Sequence, residues 1–336
     1  MPSIANLWRR RNIVSCSLLP AAALFASAAA GRRALYRHQL LASHQVAVPV
    51  IVVGGITAGG GGKSPTVQAL VTGLNERGIK AGIIARGYRG RHSGPLLVDA
   101  NSDPQKCGDE ALMHAQANLA PVSIAKRRPT AAELLLENFQ LDAIISDDGL
   151  QHYRMERDFE IACISRSALG NGWPLPAGPL REPISRLQLC DAIVRSDGEP
   201  QSESEHQLIL TDDGFADLAD GRTFTADQLA TKRTVALAGI ARPENFFATL
   251  ASLGIKPLAN QGFPDHHRFC QADLERLLAC NPEAEAVLMT AKDAPKCAGF
   301  QLPVPLYSLR LKPTLPDRLL DMVTECIRSG TKRQSK

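Results

Sequence analysis

The sequence predicts an α/β protein: a parallel sheet with helices on both faces, a smaller C-terminal α/β domain, and an N-terminal helix that belongs to neither. Three observations lead there. Short apolar, β-branched runs alternate with segments of helical period along most of the chain, as a parallel sheet covered on both sides requires. The first such run, Val48 to Val53, enters a loop of nearly pure glycine closed by Lys63 and Ser64. An apolar stretch near the N-terminus is bracketed by arginines.

Composition excludes several classes. With 336 residues, 44% of them apolar and 21% charged, the chain is long enough for two compact domains and is neither disordered nor fibrous. A formal charge of +4 falls short of a nucleic-acid footprint. Eight cysteines are scattered without a C-x-x-C pair, which argues against a zinc site and for reduced thiols on the cytosolic side.

In the N-terminal segment, Arg9, Arg10 and Arg11 precede an apolar run from Ile13 to Ala30, and Arg32, Arg33 and Arg37 follow it. A signal peptide has this layout, but export would part a nucleotide-binding domain from its nucleotide. A membrane span is poorly served by Pro20 and the many Ala and Ser residues. A helix packed on the protein's own core is the plain alternative. The preferred reading is a helix in the membrane interface, apolar side in lipid and arginines on anionic head groups.

The stretch from Thr57 to Ser64 reads T-A-G-G-G-G-K-S. Glycines let backbone N–H groups turn inward around phosphate oxygens, and the following helix points its positive end at the same anion. This is a phosphate-binding loop of the P-loop kind, with Thr57 in place of the usual first glycine. Thr57, Ala58, Gly59, Gly60, Gly61, Gly62, Lys63 and Ser64 are therefore the nucleotide-binding candidates. Lys63 would reach the outer phosphates and the Ser64 hydroxyl would ligate magnesium.

A helix from Ser64 to Arg77 follows, with Pro65 at its start and Gly78 at its stop. Next come a strand from Lys80 to Ile84 and the turn Arg86-Gly87-Tyr88-Arg89-Gly90. There the two arginines either face a phosphate or simply flank a turn. Gly108-Asp109-Glu110 opens a helix, and acidic residues in a first turn ordinarily just offset the helix dipole. Strand, helix and strand are expected at Pro121 to Ala125, Thr130 to Asn138 and Asp142 to Ser146. The last runs into Asp147-Asp148-Gly149-Leu150-Gln151-His152. An apolar strand that ends in aspartate is what a P-loop protein needs to hold its magnesium shell. The strand from Phe159 to Ile164 precedes an irregular Gly/Pro loop ending Leu175-Pro176-Ala177-Gly178-Pro179-Leu180-Arg181-Glu182-Pro183, whose arginine faces either a phosphate or solvent.

The polar stretch from Ser196 to Glu205 reads as a surface connection. Beyond it, strands at Thr234, Ala286 and Leu306 and helices at Glu244, Ala272 and Asp317 make a second α/β unit. The expected division is 1–46 for the membrane-associated helix, 47–205 for the nucleotide-binding core, 206–330 for the smaller domain and 331–336 for a frayed tail. Asp265-His266-His267 and Thr290-Ala291-Lys292-Asp293 are the polar clusters of the smaller domain.

As a set, Val53-Gly54 leading into T-A-G-G-G-G-K-S, Arg86-Gly87-Tyr88, Gly108-Asp109-Glu110, Asp147 to His152, Leu175 to Pro183, Gly239-Ile240-Ala241, Asp265-His266 and Thr290 to Asp293 resemble the tetraacyldisaccharide 4′-kinases over most of the chain. That family usually carries asparagine where Gly55 stands here. The resemblance implies a kinase peripheral to the cytoplasmic face of the inner membrane. It would use ATP and Mg²⁺ to phosphorylate the 4′-hydroxyl of a tetraacylated glucosamine disaccharide 1-phosphate. It also implies that Asp109 is the catalytic base, assisted by His266, with Lys63 stabilising charge. Domain closure would then bring the two together. Which of Asp147, Asp148 and Glu110 joins Ser64 on the magnesium is left open. The rival reading is a membrane-associated ATPase switch of the partitioning type, but its extra loop lysine would fall at Ala58. A GTPase chaperone has only the faint Thr290 to Asp293 similarity behind it.

Overall fold

The computed structural model describes residue 8 and residues 10–334 except 60, 241 and 266, and of 331–334 the backbone alone. The chain divides into two compact units, one running through Ile209 and resumed from Pro313, the other Leu210–Lys312.

The first unit opens with α1 (Ile13–Ser17) and α2 (Leu19–Arg37). It then alternates through β1 (Val50–Gly55), α3 (Lys63–Glu76), β2 (Ala81–Ala85), β3 (Leu96–Val98), α4 (Pro104–Cys107), α5 (Asp109–Gln116), β4 (Val122–Ile124), α6 (Arg128–Asn138), β5 (Ala143–Asp147), β6 (Phe159–Ile164), β7 (Ala192–Arg195) and β8 (Glu205–Gln207). The strands form one sheet in the order β3-β4-β2-β5-β1-β6-β7-β8, parallel except where β3 meets β4. Period-2 alternation sends neighbouring residues to opposite faces. Ile51, Val53, Ile83 and Ile145 meet Val67, Leu70 and Leu74 of α3 and Ala111 and Leu112 of α5. Val50, Val52, Ile84 and Ile144 meet Ala131, Ala132 and Leu135 of α6. Helices thus cover both faces, as expected from sequence. β1 is flanked by β5 on one side and β6 on the other, and this is the switch point beyond whose carboxyl ends such sheets bind ligands.

The second unit holds most of β9 (Ile209–Asp217), then β10 (Thr223–Phe224), α7 (Ala226–Ala230), β11 (Thr234–Ala238), α8 (Pro243–Ser252), β12 (Ala259–Gly262), α9 (Gln271–Ala279), β13 (Ala286–Thr290), α10 (Ala294–Cys297) and β14 (Leu306–Thr314). Its sheet runs β10-β9-β14-β13-β11-β12. Phe246 and Leu250 of α8 pack on one face, and Leu274 and Leu277 of α9 on the other.

Three expectations change. The closing helix, α11 (Asp317–Gln334), belongs to the first unit and not to the smaller domain. Its apolar stripe of Leu319, Leu320, Val323 and Ile327 shares a core with Leu70 and Leu74, and Arg77 of α3 pairs with Asp317 and Asp321. The helical backbone reaches Gln334, so residues 331–334 continue the helix where a frayed tail was expected. The polar stretch from Ser196 also ends in a strand: Glu205 and His206 pair with Ile193 and Val194, which makes β8 the sheet's edge.

The N-terminal helices bury little. Ala22 is the buried residue of α2, whereas Ile13 is 89% and Leu24 74% exposed. Ser15 and Ala22 are buried and Arg33 of α2 reaches the buried Glu182, but most other side chains of the two helices are exposed or half-buried. No described helix is long and apolar enough to cross a membrane.

Candidate phosphate-binding site

The glycine loop springs from the end of β1, and α3 begins at Lys63. Gly62 caps that helix at φ +75°, and a Cβ on it would fall 2.7 Å from Cβ of Ser196. Glycine is therefore required here on both conformational and steric grounds. The irregular loop after β6 splints the start of the glycine loop. Ala58 N–H donates to the Pro179 carbonyl at 2.8 Å, Arg181 N–H donates to that of Ile56 at 2.7 Å, and Thr57 bridges Leu180. Sequence composition had left that loop without a role.

In register, Val53 of β1 lies beside Asp147, the last residue of β5. The two aspartates then diverge. Asp148, at φ +48°, receives Lys63 Nζ at 3.3 Å and Arg181 Nη1 at 2.8 Å. Burial pushes the Asp148 carboxyl up, but the ammonium and the guanidinium outweigh it and hold the group down at about 2. Asp147 is 3% exposed; its Oδ2 accepts from Nε2 of the buried His114 at 2.9 Å, and its Oδ1 has no hydrogen-bond partner among the described residues. An orphaned carboxylate oxygen beside a phosphate loop suits a hard cation. Magnesium shared with phosphate oxygens takes only one or two protein oxygens, so Asp147 and the Ser64 hydroxyl are a sufficient set. Among the described residues no three His, Cys, Asp or Glu side chains gather into a cage.

Arg128 was missed from sequence. It is 3% exposed at the start of α6, its Nη2 donates to the Asp147 carbonyl at 2.5 Å, and its Nε and Nη1 lack partners among the described residues. Burial lowers its pKa to about 10, against the raising pull of Asp147 and Asp148, so it remains a cation. The signal was available: a cation in the first turn opposes the helix dipole and needs anions nearby.

Asp109 and Glu110 occupy the first turn of α5, both half-buried. Gly108 before them, at φ +84°, lies so close to Tyr88 that a Cβ would fall 2.5 Å from its carbonyl oxygen, so the Arg86-Gly87-Tyr88 turn supports this corner. Arg86 and Arg89 are exposed. Gly60 and His266, both expected in the site, lie outside the described residues.

His152 ends the aspartate motif. Burial, with help from Arg128 and Arg86, lowers its pKa from 6.5 to about 3, although Asp148 pulls the other way. A folded value below the unfolded one means that the unfolded chain binds the extra proton between pH 6.5 and about 3. Stability should therefore fall with pH across that window. The Asp148 pairing acts lower, lost only as pH drops from 3.8 towards 2. Thermal melts between pH 7.5 and 4.5 should show a flatter decline for His152→Gln than for wild type; parallel curves would remove His152 as a cause.

Glycine loop, trailing lysine and strand-end aspartate, placed at a switch point of a parallel sheet, define an α/β protein of the P-loop class. Within that class, the chain belongs to the tetraacyldisaccharide-1-P 4′-kinase family (LpxK), whose model matches residues 14–328. It is 44% identical over 307 residues to a tetraacyldisaccharide 4′-kinase of Azoarcus sp. (strain BH72), covering 89% of this chain and 88% of that one. It is 41% identical to that of Actinobacillus pleuropneumoniae serotype 5b (strain L20), over 88% and 90%. The crystal structure of an "apo" form of LpxK from Aquifex aeolicus in complex with ATP superposes with a TM-score of 0.79 at 26% identity, covering 94% of this chain and all of that one.

Proposed function

We propose that the protein transfers the γ-phosphoryl group of ATP to the 4′-hydroxyl of a tetraacylated glucosamine disaccharide 1-phosphate. The observation that carries this reading is the pairing of Lys63, at the close of the glycine loop, with Asp148, the residue after β5, in a family named for that reaction. Phosphoryl transfer is mostly positioning and charge stabilisation. Backbone N–H groups from Gly59 to Ser64 cradle the phosphates, that of Ala58 being engaged by the Pro179 carbonyl, and Lys63 leaves Asp148 for the outer phosphate oxygens. Arg128, with two buried donors to spare, adds positive charge where negative charge gathers. Magnesium, when bound, would neutralise phosphate charge, held by Ser64 and Asp147 Oδ1. Asp109, from the first turn of α5, takes the proton of the sugar hydroxyl.

The test is transfer of labelled γ-phosphate from ATP to the tetraacyl disaccharide 1-phosphate in mixed micelles. Label in the lipid is the expected result. ATP hydrolysis on membranes with no labelled lipid would overturn the kinase in favour of a switch.

The acceptor carries four acyl chains, so its enzyme must come to the bilayer. On this reading α1 and α2 lie in the interface of the cytoplasmic face of the inner membrane. Exposed Ile13, Leu24 and Phe25 enter lipid while Arg32 and Arg37 meet head groups. Replacing Ile13, Leu24 and Phe25 with serine should weaken sedimentation with phosphatidylglycerol vesicles by about tenfold or more, since each 1.4 kcal/mol is a factor of ten. Unchanged sedimentation would refute the anchor.

A further inference from the structure

Asp147 is gripped from two sides. Its carbonyl accepts from Arg128 Nη2 and its Oδ2 from His114 Nε2. His114 is fully buried on α5, and its Nδ1 has no hydrogen-bond partner among the described residues. A buried N–H without an acceptor costs more than a buried lone pair. The ring hydrogen therefore sits on Nε2 and is donated to Asp147. With Oδ2 so engaged, the carboxylate cannot rotate freely, and Oδ1 is the oxygen left over. The same helix carries Asp109 and Glu110 in its first turn, so this one bond ties α5 to the end of β5.

We propose that His114 is a positioning residue that holds Asp147 Oδ1 ready for the magnesium that accompanies the nucleotide. The inference deepens the kinase reading and rests on it. Ligand carboxylates owe their orientation to such outer partners, whose loss typically weakens metal binding by about 10- to 100-fold.

The test is Mn²⁺ binding, followed by electron paramagnetic resonance, to the full chain saturated with a non-hydrolysable ATP analogue. Analogue affinity in EDTA is measured in parallel. His114→Leu removes the donor and should weaken Mn²⁺ binding at least about tenfold, with analogue affinity in EDTA unchanged. His114→Gln, whose amide nitrogen reaches the place of Nε2, should recover most of the loss. His114→Asn, one carbon shorter, should not. Equal Mn²⁺ affinity in wild type and His114→Leu would overturn the proposal. Where the leucine variant does not fold, equal affinity of the glutamine and asparagine variants would do the same. A parallel loss of analogue affinity in EDTA would show a merely structural residue and also overturn it. Wild type that binds the analogue but labels no lipid defeats the kinase reading instead, and wild type that takes up no Mn²⁺ defeats both.

Discussion

Lys63→Met should lower kcat for lipid phosphorylation by roughly 10³-fold. The ammonium is nearly enclosed, 12% exposed and 3.3 Å from Asp148. At an effective dielectric constant near 20, a unit charge about 4 Å away is worth about 4 kcal/mol, which corresponds to that factor in rate. Folding should suffer far less, because Arg181 remains on both oxygens of Asp148 and keeps the carboxylate paired. Rates in mixed micelles and melting temperatures, taken on the same preparations, separate the two effects. A variant that keeps more than a tenth of the rate would mean that Lys63 does not meet the transferred phosphate.

Asp109→Asn should lower kcat by about 10²- to 10⁴-fold, the usual contribution of a positioned base, while leaving ATP binding within about twofold. The competing explanation is quantitative. If the carboxylate only offsets the dipole of α5, its loss costs about 0.3–1 kcal/mol of stability and nothing in turnover. The amide keeps the shape and the hydrogen-bonding reach while removing the basic lone pair. Turnover, ATP affinity and melting temperature therefore decide between the two roles. A lowered melting temperature with unchanged kcat would take Asp109 out of the chemistry.

Where periodicity was long and local, sequence was enough to read the element. β6 and β13 were expected at the residues where they stand, and α3 and α6 within a residue or two. The glycine loop was legible because Gly59 and Gly62 hold positive φ angles that favour glycine, and the strand-end aspartate because it follows an apolar run. Among the short strands, β4 was expected within Pro121 to Ala125 where it stands, but β7 and β8 were not legible. β7 and β8 are four and three residues long and gain their bonds only by pairing across the sheet. The closing helix was assigned to its neighbours in sequence, yet its apolar stripe completes a core begun more than 200 residues earlier.

The polar side chains around the site divide the same way. Lys63, Ser64 and the Asp147-Asp148 pair stand in local motifs and could be read from the chain alone, like the α/β class and the family resemblance, but which acidic residue joins Ser64 could not. That Lys63 and Arg181 share Asp148, that His114 and Arg128 grip Asp147, and that Arg33 of α2 reaches the buried Glu182 at 2.8 Å follow from the folded arrangement alone. A charge's partner is set by distance in space, and a separation of 149 positions between Arg33 and Glu182 leaves no local signal of it. Burying such a charge is costly unless it is paired, so each partner had to be supplied by whichever segment the sheet brought alongside.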